Sequence, residues 1–142
     1  MTRTIVFRGF HPCTDGDTVI TVNGEDVRGR WSEGDLIHHD GIMDIHRQQE
    51  DGLPDYKTLL PKTVGQFTGL PDKNGKRIFE HDRLKIKLLS PGGRIEEFEV
   101  SVVFDTAHAQ FMISGIDGCP SELNIYSDRE VIGTIFDKEV QA

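Results

Sequence analysis

Thr63-Val-Gly-Gln-Phe67-Thr-Gly-Leu-Pro-Asp72-Lys-Asn-Gly75-Lys-Arg-Ile-Phe79-Glu-His-Asp82 is the stretch whose reading decides the fold. It opens on a short apolar strand signal (Val64, Phe67) and then passes through a dense run of turn residues, Pro71 to Gly75. Apolar residues return at Ile78-Phe79, and two carboxylates, Glu80 and Asp82, flank His81. Asn74-Gly75 at the centre reads as the tip of a hairpin. Strand, turn and strand in so short a span point to antiparallel β structure.

Downstream, Arg83-Leu-Lys-Ile-Lys-Leu-Leu89 alternates strictly, with Leu84, Ile86 and Leu88 on one face and Arg83, Lys85 and Lys87 on the other. That is a half-buried antiparallel strand. Ser90-Pro-Gly-Gly93 turns the chain, and Ile95 to Phe104 runs back with Phe98, Val100 and Val102 on one face. Phe111-Met-Ile113 and Val131 to Phe136 supply two more strands across a Gly- and Pro-rich loop. Five or six short strands with this punctuation predict a small open barrel of the SH3-like type from residue 62 to 142.

Upstream, residues 47–61 are polar, hold two prolines and show no clean period, so they are expected to form a linker. A short helical turn over Asp55 to Leu60, with Asp55 as N-cap, is one option there. Before it, Ile5 to Phe10 reads as a strand, and Thr18 to Val22 is a β-branched one. Asn23-Gly24 is the strongest short-range hairpin signal, because a type I′ turn needs φ > 0 at both central residues. The return strand is expected over Asp26 to Trp31, and Asp40-Gly41 supplies a second tight turn before Ile42 to Ile45. Residues 1–46 are therefore expected to contain an N-terminal β-meander.

Composition narrows the class. The 142 residues are 36% hydrophobic and 28% charged, which suits a globular chain and is too apolar for a disordered one. No apolar run approaches the roughly 20 residues of a membrane helix, so no membrane partner is expected. The opening Met-Thr-Arg-Thr-Ile-Val-Phe-Arg interrupts its apolar residues with arginine and does not read as a signal peptide, so a cytoplasmic location is expected. Cys13 and Cys119 are then expected as free thiols. Net charge is −8, against general nucleic-acid binding, but Lys57 to Lys87 holds eight Lys/Arg against three acids.

Val-Gly65-Gln66-Phe67-Thr68-Gly69-Leu70-Pro-Asp72-Lys-Asn74-Gly75-Lys-Arg-Ile-Phe-Glu80-x-Asp82 resembles the hallmark of the YopX family of phage and prophage proteins. Trp31-x-x-Gly-Asp-Leu-Ile37 is similar to the family's N-terminal part, and Val131-Ile-Gly-Thr-Ile-Phe136 to its closing strand. The resemblance implies a phage or prophage accessory protein in the host cytoplasm. His81 stands where the family usually has glycine, which suggests a backbone needing φ > 0.

Four stretches carry candidate chemistry. Glu80-His81-Asp82, with histidines at 11, 38, 39, 46 and 108, offers metal-ligand or acid–base groups, but no spacing matches a metal signature. Carboxylates that accept backbone N–H bonds and fix the turn explain Glu80 and Asp82 better. Asp72 to Lys76 sets glycine near lysine without the spacing of a phosphate loop. Trp31 with Phe7, Phe10 and Phe67 could form a stacking platform, although core packing fits these spacings better. Lys73, Lys76, Arg77, Arg83, Lys85 and Lys87 form the best face for an anionic partner.

The expectation is a mainly β protein without cofactor, acting as a non-catalytic binding module. A host or phage protein is its expected partner, and exposed strand edges favour a homo-oligomer. Nucleic-acid binding through segment 73–87 is the alternative, and a metal-dependent enzyme at Glu80, His81 and Asp82 a lesser one.

Overall fold

The computed structural model describes residues 4–48, 54–114, 121–122 and 128–138. The chain is mainly β, in antiparallel sheets that are not closed. It divides into two compact units, one of Met1–Phe67 with Phe136–Ala142, the other of Thr68–Ile135.

In the first unit the strands are β1 (Phe7–Pro12), β2 (Thr18–Val22), β3 (Glu25–His39), β4 (Ile42–Gln48), β5 (Pro54–Leu59) and the start of β6 (Gly65–Pro71). Their order is β5-β4-β3-β1-β6, with β2 also paired to β3. Asn23 and Gly24 have φ of 53° and 80°, and Asp40 and Gly41 have 49° and 77°. Both tight turns therefore have the two left-handed residues that a type I′ hairpin demands. Phe10, Ile20, Ile45 and Leu59 are buried. Trp31 packs edge-on against Phe10, with ring centroids 5.3 Å apart, and lies 6.4 Å from Phe136. These rings are packed together rather than laid out as an open stacking platform.

Two expectations need correction here. The return strand does not stop at Trp31: β3 is one element of 15 residues. It pairs with β2 over Glu25–Gly29, with β1 over Gly29–Gly34, and with β4 over Asp35–His39. Residues 54–59, expected as linker or as a helical turn, form strand β5 paired to β4. Leu59 is buried beside Met43 in that pairing, and a strand keeps Tyr56 and Thr58 on the opposite face. Pro61 then opens a short 3-10 turn, Pro61–Thr63, closed by Thr63. The Thr63 hydroxyl donates to the Leu60 carbonyl and accepts the Phe10 N–H at 2.9 Å.

In the second unit, the far part of β6 hairpins to β7 (Arg77–Phe79). An open five-stranded sheet follows in the order β11-β10-β9-β8-β12. Its strands are β8 (Asp82–Leu89), β9 (Ile95–Asp105), β10 (Gln110–Ser114), β11 (Ser121–Glu122) and β12 (Arg129–Thr134). The alternation in β8 places Leu84 and Ile86 in the core, joined by Ile78, Val100, Val102 and Ile113. The units divide inside β6, between Phe67 and Thr68, and residues from Phe136 onward belong to the first unit. Cys119 lies outside the described residues; Cys13 is a free thiol.

Candidate functional site

The hallmark stretch is built around two carboxylates. Asp72 is 6% exposed. Its Oδ1 accepts the N–H groups of Asn74 (2.8 Å) and Lys76 (2.9 Å), and its Oδ2 accepts that of Val131 (3.0 Å). The backbone adds Asp72 N–H to Lys76 carbonyl, Gly75 N–H to Asp72 carbonyl, and Lys73 N–H to Arg129 carbonyl. One carboxylate thus closes the β6–β7 turn and fastens it to β12. Gly75, at φ 83°, supplies the left-handed residue of this turn. Burial pushes the Asp72 carboxyl up, but the N–H bonds from Val131, Lys76 and Asn74, with the Lys76 charge, outweigh it and hold it below the usual range.

The second carboxylate, Asp82, is fully buried and accepts the Phe79 N–H at 2.8 Å. His81 sits in the turn at φ 79°, the left-handed backbone that glycine tolerates best. The His81 N–H donates to the Val102 carbonyl, and its carbonyl accepts the Ile135 N–H. Thr68 Oγ1 donates to the Ile78 carbonyl at 2.9 Å and accepts the Leu70 N–H, while Gly69 at φ 89° kinks β6. Gly65 and Gln66 pair with Arg8 and Phe7, and the Phe67 N–H bonds to the Val6 carbonyl. Glu80 is half-buried in the same turn as His81.

The basic residues are placed among acids. Lys85 lies opposite Glu99 on one side and Glu130 on the other, and Lys87 lies opposite Glu97, with Nζ 3.7 Å from its carboxylate. Lys73 reaches Glu130 at 3.1 Å and Asp128 at 3.6 Å, and both carboxylates hold its ammonium pKa above the usual value. Arg83 faces Ser101 across β9, while Lys76 and Arg77 are exposed beside the turn. The register thus interleaves the β8 cations with carboxylates from β9 and β12 instead of leaving one basic stripe.

A family model described as YopX protein matches residues 15–139. The chain belongs to the YopX family. Neither a curated protein nor a solved structure matches it. In this YopX chain the hallmark residues hold turns together. No three His, Cys, Asp or Glu side chains among the described residues are grouped so as to hold a metal ion.

Two features escape the linear reading. The first is the outer face of β3, β4 and β5. Registers put Asp35, Ile37 and His39 on one face with Ile42, Asp44 and His46, and with Tyr56 and Thr58. Ile37, Ile42 and Tyr56 are 38%, 46% and 57% exposed there. The His46 and Tyr56 rings lie with centroids 4.8 Å apart, tilted by 34°, and His39 lies 3.6 Å from Asp44. The second is a cleft of about 200 Å³ lined by His11, Cys13, Asp15, Arg30, Trp31, Ser32 and Lys57. Arg30 donates to the Asp15 backbone carbonyl at 2.7 Å and lies 3.5 Å from its carboxylate. The Arg30 charge, with Asp15's own N–H and the Cys13 thiol, holds the Asp15 carboxyl below its usual range. Trp31 has the Arg8 guanidinium 4.7 Å above its ring.

Proposed function

We propose that this YopX protein is a non-catalytic protein-binding module of a phage or prophage, working in the host cytoplasm on a host or phage protein. The observation behind this reading is the outer face of β3, β4 and β5. Ile37, Ile42 and Tyr56, whose ring lies against half-buried His46, are exposed there among few charges. Exposed aromatic and aliphatic residues set in a polar rim are the composition of protein-contact patches. Self-association through this face is part of the same reading. The second unit is read as SH3-like, supported by an order in which β12 returns to β8, the first strand of the β8–β11 meander.

The nucleic-acid alternative loses ground because Lys87 is ion-paired with Glu97 and Lys85 lies opposite Glu99 and Glu130, which reduces the field a phosphate backbone would meet. The metal-enzyme alternative loses Asp82 to the Phe79 N–H.

The test is an affinity capture from host lysate with and without nuclease, run beside light scattering of the purified chain. The reading expects one protein that survives nuclease, or a concentration-dependent oligomer, and loss of either in Ile42→Lys/Tyr56→Glu. Capture of nuclease-sensitive material alone, unchanged in that variant, would overturn it.

A further inference from the structure

We infer that the cleft of the first unit binds a phosphoryl oxyanion through Arg30, Lys57 and Ser32, with His11 accepting a hydrogen bond from the P–O–H of a protonated phosphate. These residues come from β1, β3 and β5, so the site exists only once the sheet has formed.

Ser32 is the observation that separates this cleft from an ordinary surface dent. It is 6% exposed, lines the cleft, and its hydroxyl has no hydrogen-bond partner among the described residues. In that lining the Ser32 hydroxyl can both donate to and accept from a group from outside the chain. Two permanent cations stand in the same lining. Lys57 is held only loosely, with Nζ 3.8 Å from Asp55. Arg30 is anchored by the Asp15 carbonyl, and its guanidinium has five N–H donors, so several remain for a ligand. Together these donors suit an anion with several oxygens.

His11 sets the protonation state of that anion. Its Nδ1 lies 2.8 Å from the Thr58 carbonyl oxygen. A carbonyl only accepts, so Nδ1 carries the hydrogen and Nε2 of the neutral ring is an acceptor. Asp15, in the same lining, is a second acceptor. A ligand that both accepts and donates is therefore selected. Phosphate at neutral pH keeps a P–O–H for an acceptor, whereas sulfate has none and would meet two acceptors with bare oxygens. The small cleft admits a phosphoryl group and few further atoms.

The experiment is calorimetric titration of the full chain with inorganic phosphate, sulfate and O-phosphoserine, with amide NMR shifts as a second readout. Phosphate is expected to bind with Kd of about 1 mM or tighter, at least tenfold tighter than sulfate. Its shifts should centre on Ser32, Lys57 and His11. Lys57→Met and Ser32→Ala, with folding checked by the same spectra, are expected to weaken phosphate at least tenfold. Lys87→Met, outside the cleft, should leave it unchanged. O-phosphoserine, whose second phosphate pKa is about 6, has mostly lost its P–O–H at pH 7 and is expected to bind more weakly than inorganic phosphate; tighter binding of the phosphoester would overturn the selection for a proton-bearing anion. Equal binding of sulfate and phosphate, shifts centred elsewhere, or no binding would overturn the inference. None of these results bears on the β3–β4–β5 face, so the two readings fail separately.

Discussion

The hairpins of the two units are closed by different means. In the first unit, Asn23-Gly24 and Asp40-Gly41 turn the chain by backbone conformation, with two left-handed residues at each tip and open space around both glycines. In the second, the hallmark turns are closed by side chains: Asp72 gathers three N–H groups and Asp82 a fourth. A conformational turn is local and can be exchanged for another of its type. A buried carboxylate ties residues far apart in sequence, here Asp72 to Val131, and so depends on the whole sheet. The concentration of polar residues in the hallmark then reflects a structural demand of the second unit.

The largest test of this contrast is Asp72→Ala. It leaves the N–H groups of Asn74, Lys76 and Val131 without their carboxylate and should cost about 3 kcal/mol in equilibrium denaturation. A cost below about 1 kcal/mol would mean the turn closes without its carboxylate. Asp72→Asn adds a pH signature. The folded pKa lies below the ordinary aspartate value, so the ionised form's contribution is complete above that ordinary value and is lost as pH falls through the folded pKa. The stability gap between wild type and Asp72→Asn should accordingly narrow below about pH 4, followed by urea titration across pH.

Conformational turns should respond more modestly. Gly24→Ala puts a side chain at φ 80° in open space and should cost about 1 kcal/mol, measured by thermal unfolding. His81→Gly probes the same physics in reverse and should stabilise by about 1 kcal/mol, since glycine relieves the left-handed backbone. The smallest effect belongs to the charge ladder. Lys87→Met should shift stability by no more than about 0.5 kcal/mol, because the Lys87–Glu97 pair is exposed and screened by salt.

Much of this architecture can be read from single residues. Alternation from Arg83 to Leu89 places Leu84 and Ile86 in the core, the two tight turns follow from Asn-Gly and Asp-Gly, and the His81 backbone follows from the glycine usual there. The hidden parts are those that depend on pairing. Strand β5 lies in a segment with prolines and charges, and only its register against β4 shows that Leu59 is buried and Tyr56 is not. The cations of β8 look like a basic stripe until the β9 register sets Lys85 against Glu99 and Lys87 against Glu97. The cleft draws on positions 11–15, 30–32 and 57, and no local motif joins them.

The return of the chain to the first unit has a consequence for biosynthesis. The Phe136 carbonyl accepts the Thr21 N–H at 2.8 Å, Asp137 bridges to Ile20, and Lys138 reaches Asp26 at 3.0 Å. The second unit is therefore spliced into the first, and the half made earliest on the ribosome is finished last. A nascent chain released at Ile135 would hold every strand of the second unit yet leave Ile20 and Trp31 without the segment that closes over them. Completion of the first unit therefore waits on residues translated after the whole of the second.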